Sequence, residues 1–469
     1  MKQAEYQISL FDGDHKLTID KPIRLIELFA GYGSQALALK YLGANFEHWK
    51  ICEWAVKSIQ AYKDLHFGDD NTDYSATKTQ DEVIDYLYSK GISANYNEPM
   101  TIDQIKRLGE EKQRVIYNNL IATHNLVSVC NCHASDLEIS DTDKYTYIMT
   151  YSFPCQDLSS AGKGLGMGKG SGTRSGLLWE VERILDECNG NLPQILLMEN
   201  VPEVIGTKNS EHFSQWVAKL DSLGYKSKWE ILNAKDYGVP QNRARCFMVS
   251  WLGNYYYDFP KKVKLEKRIK DILETNVDEK YYLNDDTIER ISKWKSQQQP
   301  LDHILNDNSC SPCLTARGGG EEHSGMILYG EIKCNCVGML GGKYEKLHDI
   351  ARRVYDTNGI APTQHTCGGG NLETKIVEPL AFDEQNGYVR QDGTVGTRTT
   401  DGSSPKHNNR IIENYRIRKL TPKECGRLMG VRDDDIDTMA VNQSNSSQYH
   451  LYGDSIVVDV LMAIFGQML

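Results

Sequence analysis

From Lys21 to about Ser250 the chain alternates short apolar runs with helical stretches, and the runs stop on residues that an apolar core does not select. "IRLIELF" stops at the turn "AGYG", "FEHWKICEW" at Glu53 and Trp54, "KYTYIMTYS" just before Phe153, Pro154 and Cys155, and "PQILLMENV" at Glu199 and Asn200. "RCFMVSWLG" is a further run, while "SQALALKYLG" and "SGLLWEVERILDECNG" carry helical spacing. Strand–helix alternation predicts an α/β fold with a doubly wound, mostly parallel sheet. Ligands of such sheets bind outside the carboxyl ends of the strands, where these polar residues fall.

A chain of 469 residues exceeds one simple core and predicts a large domain with a smaller companion. Residues 55–130 interrupt the alternation with two stretches read as exposed amphipathic helices, "TQDEVIDYLYSKG" and "TIDQIKRLGEEKQRVIYNNLIATHNL", and are taken as an insertion. The expected organisation is a catalytic domain over 1–260, a β-rich irregular domain over 261–410, and a segment over 411–469 that returns to the first domain. Within the second, 311–327 and 360–376 share a pattern of Pro, a gap, Thr and three glycines, which predicts two similar loop-and-strand units that either form structural hairpins or present loops to a partner. The start of the chain has no long apolar run, so no signal peptide is expected, and no apolar stretch spans a bilayer. Twelve unevenly spaced cysteines fit a reducing cytoplasm better than a disulfide framework. Cys310 with Cys313 and Cys334 with Cys336 imitate metal spacing, but the second pair is wrong for a zinc knuckle and no histidine is regularly placed, so no metal is expected. The net charge of −11 argues at first against a polyanionic partner. Residues 261–420, however, hold 24 Lys and Arg against 23 Asp and Glu, whereas the rest holds 29 against 41. A basic strip such as "KKVKLEKRIK" can therefore track a phosphate backbone, or form a solvated helix face.

Glycines at 31 and 33 let the backbone pass close to a ligand beside a helix N-terminus. The turn is shorter than a dinucleotide fingerprint and is weak evidence alone. Glu53 strengthens it, because an acid after the second strand accepts ribose hydroxyls in doubly wound folds. Trp54 is placed to stack on a base, or else packs in the core. Asp136 reads as a third strand-end acid for an adenine amino group, or as a helix or turn cap. A lone cysteine is more often an inert small hydrophobe than a nucleophile. Cys155, though, follows a strand and a stiffening Pro154, Glu199 ends a neighbouring strand, and "PQNRARCFMVS" sets Arg243 and Arg245 on one face of another. A thiol, a carboxylic acid and two arginines on one sheet edge suit nucleophilic attack on a protonatable ring in an anionic substrate.

The segments "ELFAGYGS", "YSFPCQDLS", "RSGLLWEVERI", "LLMENV", "VPQNRARCFMVS", "RKLTPKECGRLMGV" and "LYGDSIVVDVLMAI", in this order, make the chain resemble a bacterial or phage C5-cytosine DNA methyltransferase. The likeness covers nearly everything outside the insertion and the middle segment. "YSFPCQDLS" with "GSGTRSGLLWE" is most similar to the subgroup that methylates CpG, although the loops of the middle segment differ from those of a CpG enzyme.

The resemblance implies a Rossmann-like methyltransferase domain, a target-recognition domain over 261–410, S-adenosyl-L-methionine as methyl donor (S-adenosyl-L-homocysteine as product) and double-stranded DNA as substrate. It implies that Cys155 attacks C6 of a flipped cytosine, that Glu199 assists at N3, and that Arg243 and Arg245 hold the flipped nucleotide. The cofactor would lie against Phe29, Ala30, Gly31, Gly33, Glu53, Trp54, Asp136, Pro154, Asp454 and Ser455. Where the family reads Gly-Asn-Ser, this chain has Gly453, Asp454 and Ser455, and an ionised Asp only accepts hydrogen bonds. Gln156, Ser159, Gln241 and Arg317 would meet DNA, and His323, Gln364 and His365 are further candidates for reading base edges. The expected setting is a monomer in the cytoplasm of a bacterium or phage-infected host, with or without a partner restriction endonuclease. An RNA cytosine methyltransferase and a catalytically silent DNA-binding homologue are the competing readings. The large middle segment favours duplex DNA, which needs a reading surface of its own. Intact Cys155, Glu199 and arginines disfavour the silent homologue.

Overall fold

The computed structural model describes residues 15–154, 158, 166–170, 172–281, 336–339, 353–356, 361–362, 375–383, 388–390 and 411–469. The described residues within Met1–Glu266 and Pro422–Leu469 form one compact unit, and those within Lys267–Pro362 and Gly369–Thr421 another. The first unit holds a six-stranded sheet of β1 (Ile23–Leu28), β2 (Phe46–Cys52), β3 (Thr146–Tyr151), β4 (Ile195–Asn200), β5 (Tyr225–Asn233) and β6 (Ala244–Leu252). Its order is β2-β1-β3-β4-β6-β5. β1 pairs in parallel with β2 and β3, and β3 with β4, whereas β6 runs antiparallel to β4 and β5. Strands β3 and β4 are buried almost throughout, which explains their unbroken apolar runs. This is the doubly wound, Rossmann-like α/β architecture expected from the alternation.

The register levels the strand ends. Leu28 pairs with both Cys52 and Tyr151, and Tyr151 pairs with Met198. The chain moves from β1 to β2 on one side and then to β3 on the other, so a crevice opens between the β1 and β3 ends.

The helices of this unit are α1 (Ser34–Leu42), α2 (Val56–His66), α3 (Gln80–Lys90), α4 (Ile102–Arg107), α5 (Glu110–Ala122), α6 (Ala134–Leu137), α7 (Leu178–Glu187) and α8 (Ser210–Ser222). On α7 the residues Leu178, Val181, Ile184 and Leu185 are buried, a helical spacing that turns one face onto the sheet. There they join a core with Tyr151, Met198 and Trp216, whose indole Nε1 donates to the Tyr151 hydroxyl at 3.2 Å. Burying each such side chain contributes roughly 1.5–3 kcal/mol.

The insertion is more than a set of exposed helices. Val83, Ile84, Leu87, Ile105, Ile116 and Leu120 from α3, α4 and α5 form a second core with Ile59 of α2. Thr79 and Thr101 cap α3 and α4 through reciprocal bonds with Glu82 and Gln104. The stretch expected as one helix is two, because Gly109 takes φ 82° between α4 and α5.

After the second unit the chain adds α9 (Pro422–Leu428), α10 (Asp433–Ala440), α11 (Asn445–Asp454) and α12 (Val458–Phe465) to the first unit, and α12 packs on α1. The second unit contains a mixed sheet of β7 (Cys336–Met339), β8 (Arg353–Asp356), β9 (Lys375–Asp383), β10 (Tyr388–Arg390) and β11 (Ile411–Lys419). There β9 pairs in parallel with β8 and antiparallel with β10 and β11. The first copy of the glycine repeat, with Arg317 and His323, lies outside the described residues, as do Gln364, His365, Cys310, Cys313 and Cys334. Among the described residues no helix is long and apolar enough to cross a membrane.

Candidate active site

A cavity of about 350 Å³ opens at the carboxyl edge of the sheet, within the range of small-ligand sites. The turn after β1 forms one wall. Phe29, Gly31 and Gly33 all take left-handed φ values, of 60°, 57° and 81°. For Phe29 that conformation is strained, a feature that concentrates at ligand sites. A Cβ built on Gly31 would meet nothing within 4 Å, so glycine keeps that part of the cavity open. Phe29, Ala30 and Gly31 line the cavity.

Glu53 and Trp54 line it from the end of β2. Glu53 is 8% exposed. Its Oε2 accepts from Gly31 N at 2.9 Å and its Oε1 from Ala55 N at 2.7 Å. Burial pushes its pKa up to about 7 against the pull of these backbone donors. Trp54 also packs against the insertion core, so core packing does not withdraw it from the cavity lining.

Pro154 lines the cavity after β3, and its carbonyl accepts from Ser175 Oγ at 2.7 Å. Asn200 Nδ2 donates to the Phe153 carbonyl at 2.9 Å, holding the same segment from β4. Cys155 follows directly in the chain, but it lies outside the described residues, as do Gln156, Ser159 and Arg317. Glu199 lines the cavity and is 8% exposed. Burial raises its pKa, opposed by the charges of Arg245 and Arg243. Arg245 Nε lies 3.2 Å from Glu199 Oε1.

Asp454 and Ser455 close the cavity from the C-terminal segment. Arg243 fixes them: its Nη2 donates to the Gly453 carbonyl at 3.1 Å and the Ser455 carbonyl at 2.5 Å. The sequence expectation had Arg243 hold the flipped nucleotide; the structure gives its guanidinium these two carbonyl partners. It is 4% exposed, and its guanidinium positions the Gly453–Ser455 turn, although it reaches the cavity lining.

Three other expected site residues are placed away from the cavity lining. Gly33 is absent from the cavity wall; its Cβ position is filled by Tyr62 and His66, so glycine there serves close packing of α2 on the turn. Asp136 is not a strand-end acid at the cavity: it sits in α6, and its Oδ2 accepts from His133 N at 2.9 Å, the capping role weighed beside the cofactor role. Gln241 is fully buried, and its Nε2 donates to the Leu428 carbonyl at 2.6 Å, tying α9 to the segment that precedes β6. The cavity also recruits Tyr96 and Asn97 from the insertion, Arg174, and His450 from α11. Arg174 stands within the quoted "RSGLLWEVERI", but nothing periodic marks Tyr96, Asn97 or His450 in the sequence.

The residues present fit S-adenosyl-L-methionine: a buried acid beside a glycine turn for a ribose, an indole for a base, and room left by Gly31.

The family described as C-5 cytosine-specific DNA methylase matches residues 116–469. Orphan methyltransferase M.SssI of Spiroplasma monobiae is 38% identical over 402 residues, spanning 84% of this chain and 93% of that protein. Type II methyltransferase M2.ScrFI of Lactococcus lactis subsp. cremoris is 30% identical over 450 residues, spanning 95% and 99%. The crystal structure of the S. pombe Dnmt2 methyltransferase superposes with a TM-score of 0.51 at 15% identity, covering 95% of this chain and 97% of that one, a likeness of fold.

Proposed function

Because the chain belongs to the C-5 cytosine-specific DNA methylase family and methylates C5 of cytosine in DNA from S-adenosyl-L-methionine, we propose that the cavity at the carboxyl edge is the reaction site, with Cys155 as nucleophile and Glu199 as the acid at N3. One observation carries this reading. The level register of β1, β2, β3 and β4 delivers the glycine turn, Glu53 with Trp54, Pro154 and Glu199 to one cavity. Cys155 is the next residue after Pro154.

The target base must leave the stack, since C6 is unreachable within a duplex. The Cys155 sulfur bonds to C6, and the C5–C6 π electrons move toward the ring carbonyl and N3. A protonated Glu199 carboxyl, the form that burial favours against the pull of Arg245 and Arg243, donates to N3 as that charge develops. C5 is now nucleophilic. S-adenosyl-L-methionine, when bound, supplies an electrophilic methyl group. A base, water in this mechanism, then removes the C5 proton; those electrons re-form the C5–C6 bond and expel the Cys155 thiolate, while N3 returns its proton to Glu199. The covalent step divides one high barrier into two lower ones. Arg245, 3.2 Å from Glu199, keeps the carboxyl oriented. Residues 261–410 supply the DNA-reading surface in this proposal, and the catalytic motifs support CpG as the recognised dinucleotide.

DNA carrying 5-fluorocytosine tests the mechanism, because the fluorine cannot leave as a proton does. Wild-type enzyme is expected to form a denaturation-resistant adduct and Cys155→Ser none. Absence of the wild-type adduct, or its persistence in Cys155→Ser, overturns the proposal. Bisulfite sequencing of DNA methylated by the pure enzyme reads the recognition site.

A further inference from the structure

The insertion reaches the cavity through a loop between α3 and α4. Two backbone hydrogen bonds tie that loop to the strand end carrying Glu53 and Trp54: Ser93 N donates to the Trp54 carbonyl at 2.7 Å, and Val56 N to the Ser93 carbonyl at 2.9 Å. Beyond Ser93 the chain turns around Asn95, whose Oδ1 accepts from Asn97 N at 2.9 Å. Ser93 Oγ closes the turn on the Glu98 carbonyl at 2.7 Å. The turn leaves Tyr96 at φ 62°, a conformation that side chains with a Cβ seldom take. A glycine would relieve that strain, so a tyrosine here calls for a use of its ring.

The ring and its neighbour reach two other walls. The Tyr96 ring lies 4.0 Å from the His450 ring between centroids, tilted by 47°. His450 Nε2 lies 3.2 Å from Asp454 Oδ2. Asn97 Oδ1 accepts a hydrogen bond from Arg174 Nη2, on the segment that follows the cysteine loop in sequence. All five of these side chains line the cavity. The insertion is thereby joined to the β2 end, to α11 and to the Arg174 segment around one space.

We propose that Tyr96 and Asn97 form a strap over S-adenosyl-L-methionine, which makes the helical insertion a working wall of the cofactor site. This rests on the assignment of the cavity to that cofactor. A strap bridging two walls must part for exchange, so its loss raises the dissociation rate more than it changes the association rate. The contact is made by the ring, so Tyr96→Phe retains it.

The test is binding of S-adenosyl-L-homocysteine to the full chain, by titration calorimetry for Kd and by stopped-flow tryptophan fluorescence for the rates. Tyr96→Ala is expected to weaken binding about three- to tenfold, mostly through faster dissociation. Asn97→Ala is expected to weaken it by a smaller factor, Tyr96→Phe to match wild type, and duplex DNA binding to stay unchanged. Asn97→Ala removes a turn side chain and keeps the test decisive should Tyr96→Ala fail to fold. Wild-type Kd and dissociation rate in the folded alanine variants overturn the strap. Glu53→Ala separates the two readings: lost affinity there with none lost on the strap refutes the strap alone, whereas unchanged affinity in Glu53→Ala refutes the cavity assignment.

Discussion

Lowering the pH from 8 to 6 should weaken binding of S-adenosyl-L-homocysteine about tenfold through one group, Glu53. Its carboxyl is 8% exposed and bonded on both oxygens to backbone N–H groups, and burial still lifts its pKa to about 7. A ribose needs the ionised form, which offers acceptors on both oxygens. In the ligand-free protein the carboxyl is ionised above pH 7 and takes up a proton below it. Affinity is therefore fully present above that value and is lost as the pH falls through it. For a single proton displaced on binding, Kd exceeds its high-pH limit by a factor of about 1.1 at pH 8, about 2 at pH 7 and about 11 at pH 6. The change corresponds to about 1.4 kcal/mol. Three other carboxyl or imidazole groups face the cavity: Glu199, Asp454 and His450. Burial raises the pKa of Glu199, which Arg245 and Arg243 oppose, and that of Asp454, which Arg243 opposes, and burial lowers that of His450. Glu53→Gln separates Glu53 from all three, because it keeps the shape and removes the titration. Calorimetric titrations across pH 6–8, repeated in buffers of different ionisation enthalpy, count the protons exchanged. A flat wild-type Kd, or an equal slope in Glu53→Gln, refutes the reasoning.

Glu199→Gln should lower kcat for methyl transfer by about 10²–10⁴-fold, the usual contribution of a positioned acid, while leaving S-adenosyl-L-homocysteine affinity unchanged; single-turnover methyl incorporation beside calorimetry checks it. Arg243→Ala strips the charged donor from the Gly453 and Ser455 carbonyls. With hydrogen bonds to charged groups worth about 1.5–3 kcal/mol each, denaturant unfolding of the first unit should shift by about 3 kcal/mol and cofactor affinity should fall with it.

The parallel sheet, the strand-end placement of Glu53 and Glu199, and the helices α1, α3 and α7 were legible in the sequence because each rests on local periodicity and on the residue that ends a run. Cofactor and chemistry were legible too, through the ordered motifs from "ELFAGYGS" to "LYGDSIVVDVLMAI". What a polar side chain does once it arrives was not. "PQNRAR" offers Gln241, Arg243 and Arg245 as a row of alike polar groups. Only tertiary packing sends Gln241 to the α9 carbonyl, Arg243 to a turn 212 residues later and Arg245 to Glu199. Asp136 could serve a ligand or a helix, and the short α6 claims it as a cap. Tyr96 and Asn97 left no periodic trace, because their partners Arg174 and His450 are remote in sequence and meet them only when the chain closes around the cavity. Local pattern thus determined which elements form and which residues stand at their ends. The assignment of each buried donor and charge to a partner was decided by the fold, since such groups must be paired by whatever long-range neighbour the packed structure brings within about 3 Å.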